Sequence, residues 1–198
     1  MKAFLLDADG VVLKKGEFFS EKFAREYGVP LEEVTVFFKE EYGDCQTGTK
    51  DLKVVLPAYL KRWNWTAGVE AFLEYWFADL EINPEIEGFL ERCSQQGIAC
   101  YLGSNNEHYR ARAIEKKLGS TMVGYYFSAD CKVKKSNVAF FTLVAKNIGI
   151  PAAEIMFVDN EEKNVAAAQS AGLQASLYEA GIFARLLPEE SPNELKVG

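Results

Sequence analysis

Four short apolar runs constrain this chain most. They are AFLLD (3–7), IACYLGS (98–104), YYFSAD (125–130) and IMFVDN (155–160), and each ends in Asp, Ser or Asn. A strand that is apolar along its length has no face for water. Such strands belong to parallel sheets covered by helices on both sides. The intervening segments 84–97, 108–119, 137–149 and 161–172 carry apolar residues at helical spacing, and each ends in glycine, the residue that favours a helix C-terminus. Residues 173–178 (LQASLY) read as a further strand. This alternation predicts an α/β fold: a three-layer, doubly wound parallel sheet with right-handed crossovers.

Residues 14–83 break the alternation. They hold only helical patterns, such as LEEVTVFFKEEYG and GVEAFLEYWFADL, together with all three tryptophans, Trp63, Trp65 and Trp76. We read them as an inserted small helical domain with its own apolar seam, and residues 1–13 and 84–198 as the core domain. Tyr42, Trp63 and Trp76 are expected in that seam.

With 198 residues, the chain suits one domain plus such an insert. Its net charge of −7 argues against nucleic acid or an anionic membrane surface as partner. No run approaches the roughly 18 apolar residues of a membrane span, and the N-terminus lacks a signal-peptide pattern. Cys45, Cys93, Cys100 and Cys131 are scattered, which reads as free thiols and a cytoplasmic protein. One histidine, His108, leaves little room for serine-triad or multi-histidine zinc chemistry. We read it as an exposed helix-start residue.

Ligands of parallel α/β sheets bind beyond the carboxyl ends of the strands. That edge gathers Asp7 and Asp9, Ser104 with Asn105, Ser128 and Asp130 with Lys135 beyond, and Asp159 with Asn160. Two carboxylates from one strand and one from another can hold Mg²⁺ through oxygen. A lysine holds an anion, and a carboxylate can act as nucleophile. Metal, lysine, hydroxyl donor and carboxylate together form an inventory for phosphoryl transfer.

In this order the motifs resemble those of the haloacid dehalogenase-like (HAD) hydrolase superfamily, in the phosphatase type with a helical cap after the first strand. DADGVV (7–12) is similar to DxDG[TV], and GSNN (103–106) to a strand ending in Ser or Thr. SADCKVKKSNVAFF (128–141) resembles SxxxGxxKPDPxxF, and FVDNEEKNVAAAQSAG (157–172) resembles FVDDxxxNVxxAxxxG. The resemblance covers nearly the whole chain. It implies Asp7 as nucleophile, Asp9 as general acid and base, Ser104 and the Asn105 backbone on the phosphoryl group, and Lys135 steadying both. Lys132 and Lys134 remain alternatives for the lysine role. It implies Mg²⁺ held by Asp7, the Asp9 carbonyl, and Asp159 or Asn160. Because successive side chains of a strand point to opposite faces, the chain must bend after Asp7, and Gly10 supplies the freedom.

The sequence departs from the family at three points. Asn160 replaces a commonly metal-binding acid, Lys132 stands where glycine is common, and Ser136-Asn137 replaces Pro-Asp. By the resemblance, the cap turn GDCQTGTKD (43–51) faces substrate, which offers Gln46, Thr47, Gly48 and Lys50; Asn106, Glu107 and His108 flank the entrance. The implied function is a Mg²⁺-dependent phosphatase for a small phosphorylated metabolite, with a sugar phosphate suggested by analogy with small sugar-phosphate phosphatases. A phosphomutase with the same residues and a weakly active HAD-like binding protein are the alternatives. Oligomeric state stays open.

Overall fold

The computed structural model describes residues 1–188. Strands β1 (Ala3–Leu6), β2 (Ala99–Ser104), β3 (Gly124–Phe127), β4 (Ile155–Asp159) and β5 (Gln174–Leu177) form one sheet in the order β3-β2-β1-β4-β5, every pairing parallel. All four residues of β1 are buried. Phe4 and Leu6 join one apolar cluster with Cys100, Leu102 and Phe89, while Ala3 and Leu5 join another with Phe140, Phe141 and Phe157. The strand's two-residue period thus feeds a core on each face. The result is the expected three-layer α/β fold.

Helices α6 (Pro84–Gln95), α7 (His108–Leu118) and α11 (Ile182–Leu186) cover the first face, and α9 (Val138–Ile148) and α10 (Glu162–Ser170) the second. Local chemistry sets their starts. The Asn83 side chain accepts from the Glu85 amide and Pro84 occupies the first turn of α6, where proline costs no hydrogen bond. Asn137 caps α9 in the same way. Residues 125–130 differ from the sequence expectation. The strand stops at Phe127, and Ser128–Cys131 form one helical turn, α8, closed by Lys132 at φ +59°. That left-handed position explains why glycine is usual there.

Five helices stand between β1 and α6: α1 (Phe19–Tyr27), α2 (Leu31–Glu40), α3 (Tyr42–Gln46), α4 (Leu52–Arg62) and α5 (Gly68–Phe77). They enclose a third apolar cluster built on Phe23, Phe37, Leu56, Trp63 and Phe72. The chain enters and leaves this unit side by side. The Lys14 amide donates to the Glu81 carbonyl (2.8 Å), and the Asn83 amide to that of Val12 (2.9 Å).

The sheet order places a topological switch at β1. From there the chain runs outward through β2 and β3, then returns to the other side of β1 with β4. A crevice opens beyond the strand ends at such a point.

Candidate active site

The register puts Leu6 opposite both Leu102 and Val158. The next residue, Asp7, therefore lies beside Asp159 at the end of β4, one strand from Ser104 at the end of β2. Lys135 reaches them from the loop before α9. Its Nζ donates to Asp7 Oδ1 and, at 2.7 Å, to Asp159 Oδ2. The lysine is 2% exposed and Asp159 fully buried. Asp159 uses its remaining capacity on the Glu161 amide (2.8 Å) and the Asn164 amide group, so its carboxylate is committed to holding Lys135 and the loop. Burial pushes Asp7 up to about 7 against the opposing Lys135 charge, and the Asp159 and Asp9 charges add to the rise. Burial works against the Lys135 ammonium, but the two carboxylates outweigh it and hold its pKa above the usual lysine value.

The chain turns sharply after Asp7. The Gly10 amide donates to the Leu13 carbonyl (2.8 Å), and the Leu13 amide to that of Ala8 (2.8 Å). Gly10 has φ +84°, and a Cβ there would lie 2.4 Å from Asn160 Nδ2. The turn swings Asp9 into the same cleft as Asp7, and Asn160 Nδ2 donates to the Asp9 carbonyl (2.9 Å).

Arg110 meets the Asp9 carboxylate with both ends of its guanidinium, at 2.6 and 2.7 Å. It also donates to Asn106 Oδ1 (2.7 Å), while Asn106 Nδ2 donates to Ser104 Oγ (2.8 Å). Burial would raise the Asp9 pKa, but the Arg110 charge and its hydrogen bonds prevail and hold it below the ordinary carboxylate value. Sequence reading missed Arg110. Its signal was the four-residue spacing from Asn106, which brings the pair together at the start of a helix.

Asn105 joins several parts. Its Oδ1 accepts from the Lys135 amide (2.9 Å), and its carbonyl accepts from Gln46 Nε2 (2.9 Å). Ser128 Oγ donates to the Gln46 carbonyl (2.6 Å). Gln46 therefore ties α3 to the loop after β2 and lines the cleft.

Of the cap-turn residues expected at the substrate face, Gln46 lines the cleft, whereas Thr47, Gly48 and Lys50 are not among its lining residues. The Thr47 hydroxyl donates to the Asp44 carbonyl, Lys50 pairs with Glu41 and Asp44, and the Gly48 carbonyl accepts from Lys132. The turn is spent on local closure and on docking α3 against α8. Glu107 is buried and caps α7 through the Tyr109 and Arg110 amides. His108 begins that helix and faces Asp130 at 3.1 Å. Lys132 and Lys134 touch neither Asp7 nor Asp159; Lys135 holds both. Trp63 is in the helical cluster, whereas Tyr42 and Trp76 also line the cleft.

The cleft over these residues measures about 810 Å³. Among the described residues no three acidic, histidine or cysteine side chains group as a metal cage. The oxygen donors near the phosphoryl end are instead the Asp7 carboxylate, the Asp9 carbonyl and, after a half-turn of its amide, Asn160 Oδ1. Asn164 Oδ1 is buried, without a hydrogen-bond partner, and borders the cleft. Hard oxygens of low total charge fit Mg²⁺ that keeps several waters.

A family model described as haloacid dehalogenase-like hydrolase matches residues 1–172. The chain belongs to this family. A phosphoglycolate phosphatase of Pseudomonas fluorescens is 29% identical over 133 residues, which make up 63% of this chain and 48% of that protein. The chain thus spans about half the length of that curated relative. Among solved structures, a HAD family enzyme of Bacteroides thetaiotaomicron superimposes with a TM-score of 0.81 at 18% identity, covering 96% of this chain and 99% of its own. The same enzyme has been crystallised with magnesium and inorganic phosphate. A predicted HAD-like hydrolase of Porphyromonas gingivalis gives a TM-score of 0.76 at 18% identity, with coverage of 96% and 99%. At these identities the likeness is one of fold. Among the described residues no helix is long and apolar enough to cross a membrane.

Proposed function

We propose that this hydrolase is a Mg²⁺-dependent phosphatase of small phosphorylated metabolites that works through an aspartyl-phosphate at Asp7. The observation that carries the reading is the pair of acids in one cleft: Asp7, buried and held by Lys135, and Asp9, half exposed two residues on. A phosphate ester needs both, because its leaving alkoxide must receive a proton. A halide leaves without one, so Asp9 favours a phosphate ester over a haloacid.

In this scheme an Asp7 oxygen attacks phosphorus and the bond to the leaving oxygen breaks, with Asp9 giving that oxygen its proton. Asp9 then takes a proton from water as the water oxygen attacks the same phosphorus. Inorganic phosphate leaves and the Asp7 carboxylate is restored. To reach the leaving oxygen, Asp9 gives up its contact with Arg110, which removes the charge that keeps it ionised and lets it take from solvent the proton it then donates. Lys135 offsets charge at Asp7, and Asp159 positions Lys135. Ser104 Oγ and the Asn105 backbone bind phosphoryl oxygens. Asp7, the Asp9 carbonyl and Asn160 would hold Mg²⁺, which supplies charge neutralisation for the phosphoryl group. Residues 14–83 act as a cap that excludes water, with Gln46 as its contact to the phosphate loop.

The test assays phosphate release from p-nitrophenyl phosphate and 2-phosphoglycolate across a Mg²⁺ titration, beside chloride release from 2-chloropropionate. Metal-dependent phosphate release without chloride release is the expected result. Chloride release, or phosphate release indifferent to chelator, would overturn the proposal.

A further inference from the structure

The far wall of the cleft is aromatic. Trp76 stands at its centre, stacked on Phe19 (4.8 Å between ring centroids) and in contact with Phe38 (5.4 Å) and Tyr42 (5.3 Å). All four line the cleft. Phe18 lines it too, is 68% exposed, and has no ring partner among the described residues. The charged groups on this side cancel in pairs, Lys22 with Asp79 and Arg25 with Glu17. The phosphoryl end differs. There Lys135 is paired with Asp7 and Asp159 and Arg110 with Asp9, while Lys15, whose Cβ lies beside Gly10, has no ion-pair partner among the described residues. The cleft is thus densely ionic at one end, and aromatic with paired charges at the other. Its volume of about 810 Å³ lies in the upper part of the range for drug-sized ligands, roughly 300–1,000 Å³. An inorganic phosphate or a two-carbon phosphoester would leave most of that wall facing water.

We infer that the preferred substrate is a phosphomonoester whose alcohol carries an aromatic ring, seated between the Trp76 wall and Phe18. This rests on the phosphatase reading above and adds the chemistry of the leaving group. A ring there gains apolar burial and edge or stacked contacts. The ring faces themselves give a polyhydroxylated alcohol no such gain.

The experiment compares kcat/KM for 2-phenylethyl phosphate with that for ethyl phosphate, whose alcohols are of similar acidity, so the ratio reports recognition and not leaving-group chemistry. Phe18→Ala and Phe18→Leu are measured alongside, the exposure of Phe18 making both compatible with folding. The expected result is a preference of about tenfold or more for the aromatic ester. It shrinks by several-fold in both variants, and more in Phe18→Ala. Equal kcat/KM for the two esters, or a preference unchanged in both variants, would overturn the inference while leaving the phosphatase reading standing. Failure of both esters and of p-nitrophenyl phosphate would instead remove the phosphatase reading, and the inference with it.

Discussion

Replacing Lys135 with methionine keeps the reach of the side chain and removes its charge. In the native protein the ammonium sits between Asp7 and Asp159, all three groups being buried. The variant leaves two carboxylates facing each other out of water. Removing one partner of a buried ion pair costs about 3–5 kcal/mol, because the remaining charge is uncompensated. That is a large share of a stability of about 5–15 kcal/mol.

The cost has a pH signature. Asp7 has a native pKa of about 7, above its ordinary value of 3.8, with burial as the main cause. The folded state therefore holds the Asp7 proton more tightly than the unfolded chain, and stability falls as pH rises from about 4 toward 7. Lys135 opposes that effect, so its loss raises the native value further and extends the fall to higher pH. The Asp7 part of the penalty is therefore absent well below pH 7, where Asp7 is protonated with or without Lys135, and grows as pH rises past that value. Urea unfolding in EDTA at pH 5 and pH 8 measures it. Adding Asp7→Asn to the variant recovers part of the loss at pH 8, since one buried charge is gone. A penalty below about 1 kcal/mol, or one equal at both pH values, would refute the reasoning from an uncompensated buried charge.

Three further perturbations follow from the same geometry. Asn160→Asp adds a charge beside the Asp9 carbonyl and should tighten Mg²⁺ binding by about tenfold or more in titration calorimetry, since ligand charge tunes affinity at oxygen sites; unchanged affinity would place Asn160 outside the metal site. Arg110→Gln should cost about 1 kcal/mol near neutral pH, a figure already discounted for the half-exposed Asp9 partner. Because Asp9 titrates below its ordinary value in the native state, this loss is present above about pH 4 and disappears as pH falls through the native Asp9 pKa; thermal melts against pH read it. Gly10→Ala should destabilise by about 1–2 kcal/mol through its positive φ, with the Asn160 clash in addition, and should lower phosphate release.

The readable parts of this molecule are those where side chain and chain path coincide. The end of a parallel strand has a fixed place at the sheet edge, so Asp7, Ser104 and Asp159 converge whatever else the chain does. The bend at Gly10 is likewise local, a matter of one φ angle. Lys135 was identified by its place in a motif, and the bridge between two carboxylates then follows from burial. Arg110 is different. Its role depends on which residue faces it across 101 positions of sequence, and a helix-start arginine looks like any solvated one. The cap turn shows the same difficulty in reverse. Thr47, Gly48 and Lys50 are small or polar residues suited to a ligand, but they satisfy their own backbone and neighbouring acids. Tyr42 and Trp76 serve two surfaces at once, and periodicity reports only the buried one.

The central claim is that Asp7 carries the phosphoryl group. Acid quench of the enzyme during turnover of p-nitrophenyl phosphate with Mg²⁺, followed by peptide mass spectrometry, tests it directly. The account predicts a hydroxylamine-sensitive phosphoryl adduct on Asp7 that is absent from Asp7→Asn. Turnover that proceeds in Asp7→Asn, or an adduct on another residue, would contradict it.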